Sequence, residues 1–193
     1  MSTGFEPRRG GGAVATFTGF EADLLRSLAS QLVELLRNET AVPSGDDPLE
    51  ELLDFTGPTA EPDDPVLARL FPTAYPDDEE AAGEFRRFTE GTLRDTKARA
   101  ASGIIDALEE AGLPPELTED GLHIDVELSP PDATSWMRSF TDVRLALATR
   151  LGVEEGDDDF WLAWPADDPR THVHDIYDWV GYLQETLVEA LSA

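Results

Sequence analysis

Residues 18–38 of the sequence read TGFEADLLRSLASQLVELLRN. Leucines recur in this stretch at spacings of three and four, which is the period of one helix face. They are Leu24, Leu25, Leu28, Leu32, Leu35 and Leu36. Thr18 followed by Glu21 matches a capping box, in which each side chain bonds a backbone N–H group of the first turn. The pattern predicts a long amphipathic helix that begins after Thr18 and ends near Asn38.

The same periodicity returns at residues 78–111, at about 132–151 and from about Thr171 onward, so we expect about four longer helices. In the first of these stretches the predicted core face is Phe85, Phe88, Leu93, Ile104, Ile105 and Leu108. The last stretch has two apolar faces, which places it in the centre of the core or leaves one face for a partner. A short helix is expected after Asp64, and Pro72 ends it.

Two stretches alternate with the period of a half-buried strand. The first is residues 122–128, which read LHIDVEL. The second is N-terminal: an extended stretch begins at Phe5, three glycines at 10–12 can form a turn, and the extended stretch continues after them, which predicts a hairpin. The expected fold is therefore mainly α, a helical bundle with a small β-sheet from the N-terminal hairpin and strand 122–128, in the α+β class. We expect a single domain over residues 1–193, with a mobile acidic loop rich in Pro and Gly at about 40–64.

The charge balance excludes several classes of partner. Fourteen Lys and Arg stand against 41 Asp and Glu, which gives a net charge of −27. Such a chain repels phosphate backbones and anionic lipids, so we expect neither direct nucleic-acid binding nor membrane binding. The sequence contains no cysteine, which excludes thiolate chemistry within it. Without a long apolar run or a secretory leader, the expected location is the cytoplasm.

Three stretches together resemble a known actinobacterial family. They are DPVLARLFP with FRRFTE (residues 64–72 and 85–90), FTDVRLALATRLG (residues 140–152) and YDWVGYLQETLVEAL (residues 177–191). The family they resemble is catalogued as a domain of unknown function and labelled after the actinomycete oxidative stress regulator. The similarity extends from the hairpin at Phe5 to the last helix.

This resemblance implies a small regulatory or adaptor protein that belongs to a stress response or to cysteine metabolism. The partners that it implies are a sigma factor, a protease adaptor or a cysteine synthase. The sequence departs from the family picture in one respect, because a redox-sensing member needs cysteines and this chain has none. The resemblance therefore supports the partner-binding role and not the sensing role.

Two segments are candidates for partner contact. A basic cluster on the 78–111 helix contains Arg86, Arg87, Arg94, Lys97 and Arg99. It can form a ladder of ion pairs with Glu90 and Asp95, or it can be a docking stripe for an acidic partner. The second segment places Phe160, Trp161 and Trp164 between acidic runs. These aromatic side chains either dock onto the core or form an exposed patch for a partner.

Two further groups have the residue types of a structural or chemical site. Arg138 and Asp142 are four residues apart, and with Arg144 they suggest a partly buried ion pair that organises the core, or alternatively an anion clamp. His174 and Asp178 are also four apart and could share a metal ion, with His172 nearby. We interpret His172 and Asp175 as residues that help to start a helix, and we expect no metal and no cofactor.

These observations favour a non-enzymatic regulator or adaptor that acts by protein–protein binding, and a homodimer is compatible with them. The first alternative is a metal-dependent enzyme that uses His172, His174 and Asp178. The second is a DNA-associated transcriptional regulator, which the net charge of −27 opposes.

Overall fold

The computed structural model describes residues 4–38, 58–117, 121–153, 164–165 and 167–193. Its strands are β1 (Glu6–Pro7), β2 (Ala13–Thr18) and β3 (His123–Leu128). Its helices are α1 (Gly19–Asn38), α2 (Pro65–Leu70), α3 (Glu79–Glu110), α4 (Pro130–Leu151) and α5 (Arg170–Ser192). The expected α+β fold with four longer helices is confirmed. Most of the predicted acidic loop lies outside the described residues, which resume at residue 58.

The three strands form one antiparallel sheet in the order β1-β2-β3. Glu6 pairs with Val14 across the predicted hairpin, and Ala13 pairs with Leu128 on the other side of β2. Gly12 has a φ of 90°, and a Cβ there would lie 2.0 Å from the carbonyl oxygen of Leu128. Only glycine therefore fits where the hairpin returns to the sheet.

The helix ends follow the local sequence signals. The Glu21 carboxylate accepts a hydrogen bond of 2.9 Å from the backbone N–H of Thr18, which confirms the capping box. Asp64 caps α2, since its carboxylate accepts from Val66 N at 2.7 Å. Gly152 ends α4 in the left-handed conformation at a φ of 76°.

The core lies between the sheet and the four longer helices. Phe5, Phe17, Trp136 and Phe140 are buried, and the ring centroid of Phe5 lies 5.9 to 6.3 Å from those of the other three. The backbone N–H of Phe5 donates to the Thr186 hydroxyl at 3.1 Å, which joins the N-terminal segment to α5. The buried residues Val180, Leu183 and Leu187 place one face of α5 in the core, in line with the sequence pattern.

The core face predicted for the first half of α3 is wrong. Phe85, Phe88 and Leu93 are 44%, 63% and 47% exposed, whereas Ile104 and Leu108 in the second half are buried as expected. The helix directs a different row of side chains inward, and that row is charged. Among the described residues, no helix is long and apolar enough to cross a membrane.

Candidate functional site

The inward row of α3 is a buried charge network built by Arg86, Glu90 and Arg94. These residues are 7%, 2% and 5% exposed and follow one another at i, i+4 spacing. One oxygen of Glu90 accepts from Arg86 Nη1 at 2.8 Å, and its other oxygen accepts from Arg94 Nε at 2.8 Å. One carboxylate thus lies between two guanidinium groups.

Carbonyl oxygens at the ends of two other helices also accept hydrogen bonds from these arginines. Arg86 Nη1 donates to the carbonyl of Phe71 at 3.1 Å, directly after α2, and Arg94 Nη1 donates to the carbonyl of Leu36 at 3.3 Å, near the end of α1. Helix C-termini carry partial negative charge and carbonyls without an intrahelical partner. The Arg94 guanidinium also lies 4.8 Å from the centroid of the Phe71 ring. The network therefore fixes α3 in rotation against α1 and α2.

This geometry corrects the docking-stripe hypothesis for Arg86 and Arg94, because both guanidinium groups are buried and bonded within the chain. Lys97 is directed to α4, where its Nζ lies 2.6 Å from Asp142 Oδ1. Arg87 is exposed, and its guanidinium lies 5.3 Å from the centroid of the Phe88 ring. The ion-pair ladder on Glu90 is the interpretation that the structure bears out.

The opposite side of α3 carries an apolar surface, which we call the outer face. It consists of two rows at i, i+4 spacing, and its members are Phe85, Phe88, Thr89, Thr92, Leu93 and Thr96. Phe88 is 63% exposed, more than Phe85 or Leu93. Tyr75, which precedes α3 and is 48% exposed, lies edge-on to Phe85 with a centroid distance of 5.8 Å. The outer face extends over about three helical turns.

The threonines add to the apolar character of the outer face. The Thr89 hydroxyl donates to the carbonyl of Phe85 at 2.8 Å, and the Thr96 hydroxyl donates to the carbonyl of Thr92 at 2.8 Å. Because these hydroxyls bond the backbone one turn earlier, their methyl groups are the parts left for outside contacts. The outer face is thus more apolar than its threonine content suggests.

Carboxylates lie just before α3 and in its first two turns, ahead of the outer face in the sequence. Asp77, Asp78, Glu79, Glu80 and Glu84 are all exposed. Asp78 also caps α3, since its side chain accepts from Ala81 N at 3.0 Å. An exposed aromatic patch with a charged rim is the composition of many protein-binding surfaces.

The second predicted contact segment is described only in part. Phe160 and Trp161 lie outside the described residues. Trp164 is half-buried, with the Arg170 guanidinium 4.5 Å from its ring centroid and the His174 ring edge-on at 6.4 Å. Trp164 therefore packs against the first turns of α5.

The predicted pairing of Arg138 with Asp142 is wrong, because Asp142 pairs with Lys97 and Arg138 lies exposed. Arg144 is partly buried as predicted, but it contacts α5. Its guanidinium donates to the Tyr177 hydroxyl at 3.1 Å and lies 4.7 Å from the centroid of that ring. Burial raises the pKa of Asp142, although the hydrogen bond and charge of Lys97 act in the opposite direction.

The His174 ring lies 3.6 Å from the Asp178 carboxylate and stacks on Tyr177, while His172 is exposed. Within the part of the chain that the structure describes, no three His, Asp or Glu side chains are grouped closely enough to hold a metal ion. The structure thus accounts for His174 by its contacts with Asp178 and Tyr177 on α5.

The sequence reasoning did not identify the outer face as a site. It assigned Phe85 and Phe88 to the core and did not single out Tyr75. A signal was available, since Arg86, Glu90 and Arg94 alternate in sign at i, i+4 spacing and can satisfy one another inside a protein.

Comparison with known proteins places this α+β domain in a family. Residues 2–191 match the family described as domain of unknown function (DUF2017), and the chain belongs to that family. The protein named oxidative stress regulator AosR in Mycobacterium tuberculosis strain H37Rv is 32% identical over 186 residues, which cover 89% of this chain and 78% of that protein. A relative in Mycobacterium leprae is 33% identical over 190 residues, covering 90% and 79% of the two chains. No solved structure matches the chain.

Proposed function

We propose that the protein is a non-enzymatic regulator in a stress response and that it acts by binding another protein through the outer face of α3. The observation that carries this proposal is the inverted orientation of that helix. Its charged row, Arg86 to Arg94, is buried, while Phe85 and Phe88 are exposed. Burying charged groups costs free energy, and leaving aromatic rings exposed gives up the favourable free energy of their burial. Folding alone therefore does not favour this arrangement, and a binding function of the outer face explains it.

The outer face has the properties of a binding surface as well as the composition. Aromatic side chains contribute large contact areas with few rotatable bonds, and they are common among the residues that dominate binding energy. The buried network fixes the rotation of α3, so the rings of Phe85 and Phe88 are presented by a rigid element. Preorganisation of this kind reduces the entropy lost on binding.

The stress-linked part of the proposal comes from the relatives, which are named oxidative stress regulators. Because these 193 residues contain no cysteine, the role we propose for them does not include detection of an oxidant by a thiol. Its role is to bind a component of the response. The family resemblance makes a sigma factor, a protease adaptor or a cysteine synthase the partner class to examine first.

The test is affinity capture from a lysate of the source organism, with mass spectrometry of the retained proteins. The test variant is Phe85→Ser/Phe88→Ser, and the control is Phe20→Ser. Phe20 is 69% exposed but lies at the start of α1, outside the outer face. The proposal expects a protein that the wild type and Phe20→Ser retain and that the double variant loses. Equal retention by all three forms would overturn it.

A further inference from the structure

We infer that the segment bound by the outer face of α3 is a positively charged amphipathic helix of the partner protein. This inference rests on the proposed function and adds the shape and the charge of the partner segment. The shape follows from the backbone of α3, and the charge follows from the carboxylates around its first turns.

The outer face favours a helix over an extended strand. It begins about two turns inside a 32-residue helix, where backbone N–H and C=O groups bond one another and offer no edge for strand pairing. The two rows at i, i+4 spacing, from Phe85 to Leu93 and from Phe88 to Thr96, form ridges separated by a groove. Ridges and grooves of this kind are the surface against which a second helix packs.

The charge at the N-terminal end of the outer face is negative. Within the described stretch 77–89, five exposed carboxylates, Asp77 to Glu80 and Glu84, stand against one exposed cation, Arg87, so five minus one leaves that stretch with a charge of −4 from its exposed groups. At the other end Asp95 and Arg99 offset each other. A partner helix with an apolar side and a Lys- or Arg-rich end would place its cations beside the carboxylates while its apolar side covers Phe85 and Phe88.

A second copy of this chain fits the outer face less well. Two copies would bring two net charges of −27 together. Like-charged surfaces oppose association, and the same argument opposes an anionic membrane. The charge complementarity of the outer face therefore selects a cationic partner segment.

The inference is tested with two designed, fluorescently labelled helical peptides of about 18 residues, long enough to pass beyond the outer face at both ends. Both carry leucines on one side; one has lysines at the remaining positions and its twin has glutamates. Fluorescence anisotropy measures their binding to the full chain at about 50 mM and about 300 mM KCl. We expect the lysine peptide to bind and to bind more weakly at the higher salt concentration. Equal binding of the two peptides would overturn the inference.

Matched variants assign the binding to the outer face. Phe85→Ser/Phe88→Ser is expected to weaken binding of the lysine peptide at least tenfold. Glu79→Gln/Glu80→Gln/Glu84→Gln is expected to weaken it about tenfold, which three exposed ion pairs can supply. The control Asp106→Asn/Glu109→Gln/Glu110→Gln removes the same number of exposed charges from the far end of α3 and is expected to leave binding within about twofold. If both triple variants weaken binding equally, the attraction belongs to the whole chain and the inference is wrong.

Two further outcomes separate this inference from the proposed function. A captured partner that binds the Glu79/Glu80/Glu84 variant as tightly as the wild type would leave the proposed function intact and contradict the charge assignment. A dimer in analytical ultracentrifugation that Phe85→Ser/Phe88→Ser converts to a monomer would identify a second copy as the occupant and overturn the inference. A monomer at the same concentrations supports it.

Discussion

Arg86 Nη1 lies 2.8 Å from Glu90 Oε2, one helical turn along α3, and both side chains are buried. Arg94 completes the network from the next turn and reaches the end of α1. These bonds orient the helix, and the orientation in turn exposes Phe85 and Phe88 on the side remote from the core. The buried network and the exposed outer face are two consequences of one helix rotation.

Replacing Glu90 with Gln should destabilise the protein by about 3–5 kcal/mol, because it removes the buried carboxylate that Arg86 and Arg94 share. Chemical denaturation followed by circular dichroism measures the change. The matched control is Glu84→Gln on the exposed side of the same helix, for which we expect a change within about 0.5 kcal/mol. A loss below about 1 kcal/mol for Glu90→Gln would show that the network does not hold α3 in place.

Two apolar residues of α3 should respond differently to truncation. Ile104→Ala is expected to cost about 2–5 kcal/mol because Ile104 is buried. Phe88→Ala removes a larger side chain, yet we expect it to cost less than about 1 kcal/mol because Phe88 is 63% exposed. The same denaturation measurement compares them. A larger loss of stability for Phe88→Ala than for Ile104→Ala would show that Phe88 is buried and would contradict the orientation of α3.

Asp142 gives a pH dependence of defined sign. Burial raises its pKa above the ordinary 3.8 in the folded protein, so the folded state binds this proton more tightly than the unfolded state does. Its contribution to stability is therefore largest below pH 3.8 and is lost as the pH rises through the raised pKa. We expect the stability of the wild type relative to Asp142→Asn to fall as the pH rises from about 4 to about 7. A relative stability that rises over this range would mean that Lys97 outweighs burial.

The net charge of −27 predicts a response to salt. Exposed carboxylates repel one another, and added ions screen that repulsion beyond about 8–10 Å. The melting temperature should therefore rise from low to moderate KCl, as measured by differential scanning fluorimetry. A melting temperature that stays constant over this range would contradict the expectation.

The elements of this fold were accessible from the sequence because their signals are local. The capping box at Thr18 and Glu21, the leucine period of α1 and the alternation of β3 each depend on neighbouring residues. Tertiary context adds little to such signals.

The orientation of α3 was not accessible in the same way. A hydrophobic pattern places Phe85 and Phe88 in the core. It cannot show that the carbonyls of Leu36 and Phe71 accept hydrogen bonds from the side of α3 that faces them. Phe71 is 15 positions from Arg86, and Leu36 is 58 positions from Arg94. The hydrogen bonds that favour burial of these arginines therefore form only in the folded chain. The pairing of Asp142 with Lys97 was missed for the same reason, since 45 residues separate them.

The most direct test of the outer face as a protein-binding surface is photocrosslinking in cells of the source organism under oxidative stress. A photoreactive amino acid replaces Thr92, which is exposed in the middle of the outer face, and in a control replaces Glu109, which is exposed near the end of the same helix. We expect one discrete crosslinked protein from position 92 that is absent from position 109. No product from position 92, or the same products from both positions, would contradict it.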